Sequence, residues 1–317
     1  MNKVVELKLL VTEKLVVGEG IIEFRFAYSG GDPLPNFDPG SHIGVSTPSG
    51  SNRQYSLINA GDAPDFYQIA VKREPQSRGG SVSMHDDLNI GDTVTVQAPN
   101  NSFPLLEAPN YLFIGGGIGI TPLISMARKC FLEDKSFLLI YCARSAEQAA
   151  YAEELKTQYG DSVIVHLDSG NPSLVYDFWD YFMIPSLTHV YCCGPKPLME
   201  EIKALSGHWP EHQIHFEDFN PQSGINYVNS TFMVSIQSTG QSFEVNQTST
   251  ILDTLRANGL RVPSSCESGT CGSCKMKLVS GEVEHRDFVL ESGEYDSAVM
   301  VCVSRGKGDI EIDFEDY

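Results

Sequence analysis

The spacing of apolar and polar residues changes twice along the chain, and these changes predict three consecutive parts with different architectures. Residues 1–107 carry short β-branched or aromatic runs separated by Gly, Pro, Asn and Asp, a pattern typical of a barrel or sandwich. The predicted strands are residues 4–12, 21–28, 42–47, 54–58, 67–73 and 93–98, with one short helix at 83–89.

In residues 108–224, apolar runs alternate with segments of helical spacing, and this alternation predicts a parallel sheet. The predicted strands are residues 111–114, 137–142, 163–167, 189–193 and 213–216. The predicted helices are residues 122–132, 146–159 and 196–206. Residues 217–230 are rich in Pro, Gly, Asn and Ser, which indicates a linker.

Residues 225–317 begin with two alternating runs, at 232–237 and 242–245, that predict strands joined by a turn. A helix at 250–258 is predicted to end at Gly259, because glycine readily adopts the left-handed conformation found after helix C-termini. A cysteine-rich loop and three more short strands are expected to follow.

The charge and the length of the apolar runs limit the functional class. The net charge is −19, from 41 acidic and 22 basic residues, so the basic footprint of a nucleic-acid-binding protein is absent. The acidic excess fits either solubility or the steering of a basic protein partner. No apolar run approaches the roughly 20 residues of a membrane helix, and the N-terminus lacks a secretory apolar core. We therefore expect a cytoplasmic protein with no membrane partner.

Four of the eight cysteines lie near the C-terminus with the spacing of a plant-type [2Fe–2S] site. Cys266, Cys271 and Cys274 form a C-x4-C-x2-C motif, and Cys302 follows farther along the chain. Small residues between them let backbone N–H groups face the cluster sulfurs. These residues are Ser268, Gly269, Gly272 and Ser273. A four-cysteine zinc site is the alternative, although zinc ribbons usually use two C-x2-C pairs.

A glycine-rich turn connects the first strand and helix of the second part. Residues 115–122 read GGGIGITP, and glycines there let backbone N–H groups approach a pyrophosphate; an ordinary tight turn is the alternative. Cys193 and Gly194 directly follow another strand, so both segments are expected at one crevice at the strand carboxyl ends. Arg144 and Ser145 stand where an acidic residue would hold a ribose hydroxyl, which by itself favours NADPH.

Two short motifs in the first part have the chemistry to hold a flavin. The first motif contains Arg53, Tyr55 and Ser56. The Arg53 guanidinium could bind a phosphate, the Tyr55 ring could stack on a flat ring, and the Ser56 hydroxyl could hydrogen-bond that ring. Residues 78–81, RGGS, precede a helix and form a second anion-binding arrangement. Either motif alone is more typical of plain strand and turn.

In this order, the motifs RQYS, RGGS, GGGIGITP and CCGPKPLM and the cysteine loop resemble the phthalate dioxygenase reductase family. This family belongs to the ferredoxin–NADP reductase superfamily, and the resemblance covers essentially the whole chain. It implies an FMN-binding antiparallel β-barrel at 1–107, an α/β parallel-sheet NAD domain at 108–224 and an α+β β-grasp plant-type ferredoxin domain at 225–317. It also implies NADH rather than NADPH, against the preference suggested by Arg144 and Ser145.

The resemblance assigns roles to matching positions. The FMN phosphate would be held by Arg53 and by the backbone of Gly80 and Ser81, and Arg78 and Gly79 would also belong to the FMN site. The flavin ring would be bordered by Tyr55, by Ser56 at N5 and by Phe219 on its other face. The NADH site would comprise Gly116, Gly117, Gly119, Thr121, Arg144, Cys193 and Gly194. The cluster ligands would be Cys266, Cys271, Cys274 and Cys302.

The implied function is the reductase component of a multicomponent Rieske-type oxygenase, passing electrons from NADH through FMN and a [2Fe–2S] cluster to the terminal oxygenase. We expect a monomer. Two other functions stay open from the residues alone. One is a stand-alone flavin or ferric reductase, for which a ferredoxin domain would be superfluous. The other is an adaptor whose cysteine loop binds structural zinc.

Overall fold

The computed structural model describes residues 5–75, 79–219, 229–264, 267, 269, 272–287, 289–291 and 293–314. It divides into two compact units, with the division after Phe219. The first unit contains an antiparallel sheet followed by a parallel sheet, and the second contains a mixed sheet. The three architectures expected from the sequence are therefore confirmed, while the boundaries at 107/108 and 224/225 stay predictions.

The first sheet has six antiparallel strands in the order β4-β3-β6-β1-β2-β5. Its elements are β1 Glu6–Gly18, β2 Ile21–Ala27, β3 His42–Ser46, β4 Asn52–Ser56, β5 Tyr67–Lys72, α1 Gly80–Asp86 and β6 Thr93–Gln97. Just beyond β4, the Ile58 N–H donates to the Gln68 carbonyl of β5 at 3.0 Å, which joins the sheet edges into a barrel. Alternate side chains such as Phe24, Phe26 and Val45 fill the interior.

Two barrel elements differ from their predicted bounds. β1 continues to Gly18 instead of ending near residue 12, because its pairing with β2 persists through two register shifts. The helix expected at 83–89 begins earlier, at Gly80, directly after Gly79. Gly79 has a φ of 84°, a conformation that glycine adopts without strain, so the glycine pair turns the chain into α1.

The second sheet has five parallel strands in the order β11-β10-β7-β8-β9. Its elements are β7 Asn110–Gly116, α2 Ile120–Leu132, β8 Ser136–Ala143, α3 Ala152–Tyr159, β9 Val163–Leu167, α4 Trp179–Phe182, β10 Thr188–Cys193, α5 Lys196–Leu205 and β11 Ile214–Glu217. Both faces of the sheet are covered by apolar clusters. Such coverage explains why its strands are nearly continuous apolar runs.

The helix expected at 146–159 is shorter than its sequence pattern. Residues 146–151 form successive turns, and α3 begins only at Ala152. Tyr151 has a φ of 65°, which ends any helix that approaches it from the N-terminal side. The short helix α4 was not expected.

The barrel and the parallel sheet share one apolar cluster within the first unit. Barrel residues Ile21, Ile58 and Ala70 belong to the cluster that includes Leu123 and Ala127 of α2. In addition, the N–H of Gly40 donates to the Ser125 hydroxyl of α2 at 3.2 Å. This packing fixes the barrel against the helix that follows the glycine-rich turn.

The second unit combines a mixed five-stranded sheet, in the order β13-β12-β18-β14-β16, with a small ribbon of β15 and β17. Its elements are β12 Phe232–Ile236, β13 Ser242–Val245, α6 Ile251–Ala257, β14 Lys275–Ser280, β15 Val283–Glu284, β16 Ala298–Met300, β17 Arg305–Gly306 and β18 Ile310–Asp313. Five strands therefore follow the cysteine loop, where three were expected.

The predicted limits of α6 are confirmed by its caps. The Thr250 hydroxyl accepts from the Asp253 N–H at 3.0 Å, and the Asp253 carboxylate accepts from the Thr250 N–H at 3.2 Å, forming a capping box. Gly259 follows the helix with a φ of 82°. Among the helices of the described ranges, none has the length and apolar character required to cross a membrane.

Candidate cofactor and electron-transfer sites

The two segments predicted to form a dinucleotide crevice lie against each other. Cys193 is paired with Gly115 across β10 and β7, so the turns that follow both strands meet at the carboxyl edge of the sheet. A Cβ on Gly116 would lie 2.5 Å from Pro195 Cδ, and one on Gly119 would lie 2.8 Å from the Gly194 nitrogen. Only glycine permits this approach, which explains the glycine-rich turn physically.

The glycine turn leads directly into the 13-residue helix α2. Gly117 has a φ of 55°, and the buried Thr121 hydroxyl donates to the Ile118 carbonyl at 3.0 Å. The positive end of the helix dipole therefore faces the crevice, where it would stabilise the negative charge of a pyrophosphate.

A basic and an acidic side chain occupy neighbouring positions at the same sheet edge. Arg144 is exposed at the end of β8, and a Cβ on Gly170 would lie 3.9 Å from its Cδ. Asp168 follows the neighbouring strand β9; its N–H donates to the Ala143 carbonyl at 3.1 Å, and its carboxylate accepts from the Gly170 N–H at 2.7 Å. Asp168 was not predicted from the sequence, because a ribose-binding acidic residue is expected at the end of β8 and Asp168 instead follows β9.

Arg53 lies across the N-terminus of α1, so the structure brings the two predicted phosphate-binding motifs together. A Cβ on Gly80 would lie 2.9 Å from Arg53 Cγ and Nε and 3.1 Å from the Ser51 hydroxyl. Arg53 also donates to the Asn52 carbonyl at 2.7 Å, and the Ser81 hydroxyl accepts from the Glu74 N–H at 3.0 Å. Arg78 lies outside the described residues.

Arg53, Ser51 and Gly80 together form a site that we call the phosphate cradle. A cluster of hydroxyl groups that was not predicted from the sequence lies next to it. The cluster consists of the hydroxyl groups of Thr47, Ser49 and Ser51, and each hydroxyl oxygen lies 3.0 Å from the other two. The Ser49 N–H donates to the Ser83 hydroxyl of α1 at 3.2 Å. The sequence of the turn at residues 47–51, TPSGS, contains three hydroxyl side chains and could have indicated this cluster. A guanidinium, hydroxyl groups and a close backbone approach together fit a phosphate, so the residues present suit the phosphate end of a flavin mononucleotide.

Of the residues expected beside the flavin ring, Ser56 is buried and Tyr55 is partly buried. Ser56 is 5% exposed and lies opposite His42 on β3. Burial raises the pKa of Tyr55 to about 12, although the nearby Arg53 guanidinium opposes the shift. Tyr55 therefore stays protonated at neutral pH and presents an uncharged ring and hydroxyl.

Cys193, which is buried, is paired with the half-buried Glu217 at the carboxyl ends of β10 and β11. Burial raises the pKa of the Cys193 thiol well above its usual value, so it remains a thiol. Burial also raises the pKa of Glu217 to about 8, and its Oε2 is buried with no hydrogen-bond partner in the described structure. At neutral pH this carboxyl is therefore predominantly protonated.

Glu217 was missed from the sequence, although it directly follows an apolar strand in the motif HFEDF. Phe219, two residues beyond it, is 43% exposed. Its predicted contact with a flavin stays a prediction.

Two of the four predicted cluster cysteines are described, and the backbone brings their segments together. Cys274 and Cys302 are 2% and 1% exposed, and the Val301 N–H donates to the Cys274 carbonyl at 3.3 Å. Cys266 and Cys271 lie outside the described residues. No group of three metal-ligating side chains occurs within the residues the structure describes, a finding that leaves the four-cysteine prediction untested.

The described positions of the cysteine loop have the conformation that small residues permit. Gly269 and Gly272 have φ angles of 80° and 78°, and a Cβ on Gly269 would lie 2.8 Å from Val303 Cγ2. Glu267 is anchored to α6, because its carboxylate accepts from Arg256 at 2.6 Å. This ion pair, missed from the sequence, ties the loop to the domain core.

Three protein-family models match the chain, in the same order as its three large sheets. The model of an oxidoreductase FAD-binding domain matches residues 8–104, that of an oxidoreductase NAD-binding domain matches residues 113–204, and that of a 2Fe-2S iron-sulfur cluster binding domain matches residues 234–306.

Similar proteins align with nearly the whole chain. The phthalate 4,5-dioxygenase oxygenase reductase subunit of Pseudomonas putida is 45% identical over 95% of this chain and 94% of its own length. The phthalate dioxygenase reductase of Burkholderia cepacia is 44% identical over 95% of both chains. A solved structure of a phthalate dioxygenase reductase superposes with a TM-score of 0.88, at 43% identity, and covers 98% of both chains.

Proposed function

Because the chain belongs to the phthalate dioxygenase reductase family, we propose that it is the reductase component of a Rieske-type oxygenase system. In this proposal it passes electrons from NADH through FMN to a [2Fe–2S] cluster and on to a terminal oxygenase. One observation carries the proposal: three sites occur together in one chain. They are the phosphate cradle at Arg53 and Gly80, the crevice lined by Gly116 and Gly119, and the buried cysteines Cys274 and Cys302.

The cofactors would supply the redox chemistry: a flavin exchanges two electrons with nicotinamide and one with an iron–sulfur centre. The protein residues bind, orient and shield them. Arg53, Gly80 and Ser51 would fix the phosphate, and the buried Ser56 would border the ring edge. Gly116 and Gly119 keep the crevice open to the pyrophosphate.

Two groups at the carboxyl ends of β10 and β11 are mainly uncharged at pH 7. Cys193 is buried as a thiol, and Glu217 is mainly a neutral carboxyl at pH 7, since burial raises the pKa of both groups. These two groups would therefore place no fixed negative charge of their own beside the nicotinamide. No side-chain acid or base is required for hydride transfer.

Asp168 supports NADH as the preferred nucleotide. Asp168 and Arg144 directly follow the paired strands β9 and β8, at the edge expected to receive the adenosine ribose, and the Asp168 carboxylate accepts from the N–H of Gly170, which approaches the Arg144 side chain. A carboxylate can accept a hydrogen bond from the ribose 2′-hydroxyl and repels a 2′-phosphate, which offsets the attraction of the guanidinium. We propose that Asp168 resolves the opposing indications of Arg144 and the family resemblance in favour of NADH.

Replacing Asp168 by asparagine should shift the nucleotide preference toward NADPH. Because the repulsion is lost while Arg144 remains, kcat/KM for NADPH should rise about tenfold and that for NADH should fall severalfold. Steady-state ferricyanide reduction with each nucleotide measures the ratio. Asp161→Asn, which precedes β9 at the opposite sheet edge, is the matched control. An unchanged ratio in Asp168→Asn would show that nucleotide choice lies elsewhere.

The proposed function is tested on the purified holoprotein in two stages. First, extraction should give FMN, and acid should release about two sulfides per chain. Second, a catalytic amount of protein with NADH should reduce a purified Rieske-type oxygenase under anaerobic conditions. A colourless protein that contains zinc would support the adaptor. Fast reduction of free flavin without reduction of any oxygenase would support the stand-alone reductase. The expected monomer and cytoplasmic location stay predictions.

A further inference from the structure

The loop between β8 and α3, residues 144–151, is fastened to the barrel at three points. The Glu19 N–H donates to the Glu147 carbonyl at 2.7 Å, and the Gln148 amide donates to the Glu19 carboxylate at 2.9 Å. Farther along the loop, the Tyr151 hydroxyl donates to Glu23 Oε2 at 2.9 Å. These contacts lie on the β1–β2 hairpin, away from the phosphate cradle.

Tyr151 carries the most constrained backbone in the loop. Its φ of 65° and ψ of 0° are unusual for a non-glycine residue and cost free energy. Such a conformation persists only where surrounding contacts hold it, and the hydroxyl bond to Glu23 is one such contact. The same conformation stops α3 from extending backward over residues 146–150.

The acceptor is rigidly held on the barrel. The Glu23 side chain is only 4% exposed, and its other oxygen accepts from Arg25 Nε at 3.2 Å. Arg25 in turn pairs with Glu13 at 3.0 Å and lies 4.7 Å from the centre of the Phe66 ring. Glu23 is therefore held in position by barrel residues as well as by Tyr151.

The opposite end of this loop lies at the nucleotide crevice. Arg144 and Ser145 directly follow β8, and consecutive turns connect them to Tyr151. The Gln148 N–H donates to the Ser145 carbonyl at 3.2 Å, and the Ala152 N–H donates to the Ala149 carbonyl at 3.1 Å. Because the turns are contiguous, the position of Tyr151 constrains the position of Arg144.

We propose that the hydrogen bond from Tyr151 to Glu23 positions the 144–151 loop for dinucleotide binding, with Tyr151 and Glu23 acting as positioning residues rather than catalytic ones. The inference rests on the proposed use of NADH. When the bond is broken, the loop samples conformations that do not bind the nucleotide. Apparent affinity then falls in proportion to the competent fraction, while hydride transfer from the bound nucleotide is unchanged.

The test compares Tyr151→Phe with wild-type holoprotein. Titration calorimetry with ADP-ribose, which lacks the nicotinamide, should show about tenfold weaker binding. KM for NADH should rise by a similar factor while kcat stays within about twofold, as expected for a loss of uniform binding. Hydrogen exchange should accelerate in residues 144–151 and be restored when ADP-ribose is added.

Two further variants separate positioning from general destabilisation. Tyr67→Phe removes another tyrosine hydroxyl bond, to the Pro35 carbonyl at 2.8 Å within the barrel, and should leave ADP-ribose binding unchanged. Glu23→Ala breaks the same bond from the barrel side. In a double-mutant cycle of ADP-ribose affinity, combining it with Tyr151→Phe should add little further loss, because both changes remove the same hydrogen bond and the Arg25 contact that Glu23→Ala also removes lies within the barrel.

Wild-type ADP-ribose affinity in Tyr151→Phe would overturn the proposal, as would an equal loss in Tyr67→Phe or additive losses in the double variant. A fall in kcat with unchanged affinity would also overturn it. The proposed function fails differently: wild-type protein would then lack NADH-dependent reduction of any oxygenase, whatever the behaviour of Tyr151.

Discussion

Replacing Gly119 by alanine should lower NADH-dependent flavin reduction by at least about 100-fold, while FMN stays bound. A Cβ at this position would collide with the Cys193 carbonyl oxygen and lie 2.5 Å from its carbonyl carbon and 2.8 Å from the Gly194 nitrogen. All three are backbone atoms of the facing turn, so no side-chain rotation relieves the clash. Gly119 itself has a φ of −64°, which alanine accepts, so the effect is steric and not conformational.

The clash must be relieved by separating the β7–α2 and β10–α5 turns, which together form the crevice. Since a displacement of about 1 Å already costs orders of magnitude in reactions that depend on orientation, the nicotinamide would no longer reach the flavin productively. Stopped-flow absorbance at the flavin band measures the rate, and the FMN content of the purified variant measures cradle integrity.

Gly207→Ala is the matched control for this change. It lies in the same α/β part of the chain, and the nearest atom to its added Cβ is the Ala204 carbonyl oxygen at 3.6 Å, an ordinary contact. Its flavin reduction rate should equal that of the wild type. If Gly119→Ala also reduced its flavin at the wild-type rate, the crevice between these turns would not be the nucleotide site.

The parallel sheet was predictable from the sequence because the apolar and helical patterns that specify it lie in short, consecutive segments of the chain. The central strands β7, β8 and β10 are largely buried, so each is a short apolar run next to a helical segment. The meeting of the GGGIGITP and CCGP turns followed from a general rule, that ligands bind at strand carboxyl ends. The structure adds the reason for three of these glycines: a Cβ on Gly116 or Gly119 would clash with the facing turn, and Gly117 has a positive φ.

The failures of prediction come from contacts distant in sequence. Helical spacing correctly reports the amphipathic character of residues 146–159, but the barrel hairpin holds Tyr151 at a φ of 65° and removes the first half of the helix. Asp168 was missed for the same reason. Its position beside Arg144 depends on which strands are neighbours, and chain order alone does not specify that.

Of the predicted sites, the iron–sulfur loop is the one that the spacing of residues in the sequence predicts in most detail. The C-x4-C-x2-C motif and its small residues predict a loop whose backbone N–H groups face a cluster, and the described Gly269 and Gly272 have the positive φ angles that small residues permit. What the spacing could not supply is the support beneath it. Arg256 and Glu267 form an ion pair in which the acidic side chain is only 2% exposed, joining the loop to α6.

Replacing Cys302 by alanine should abolish electron delivery beyond the flavin. The residue is 1% exposed and adjoins the Cys274 segment, and removing one of the four predicted thiolate ligands would leave the cluster without a complete ligand set. NADH should still bleach the flavin at the wild-type rate, because the crevice and the cradle lie in the other compact unit. Reduction of cytochrome c or of a Rieske-type oxygenase should fall by at least about 100-fold, since the single-electron relay is lost.

Cys130→Ala separates loss of the cluster from loss of any buried thiol. Cys130 lies in α2, where burial raises the pKa of its thiol to about 12, and it has no predicted role in metal binding. Its variant should retain acid-labile sulfide, the cluster absorbance and cytochrome c reduction, whereas Cys302→Ala should lose all three. Undiminished cytochrome c reduction in Cys302→Ala would mean that electrons leave the flavin directly. The second unit would then bind a metal for structure alone, and the assignment of this chain as an oxygenase reductase would fail.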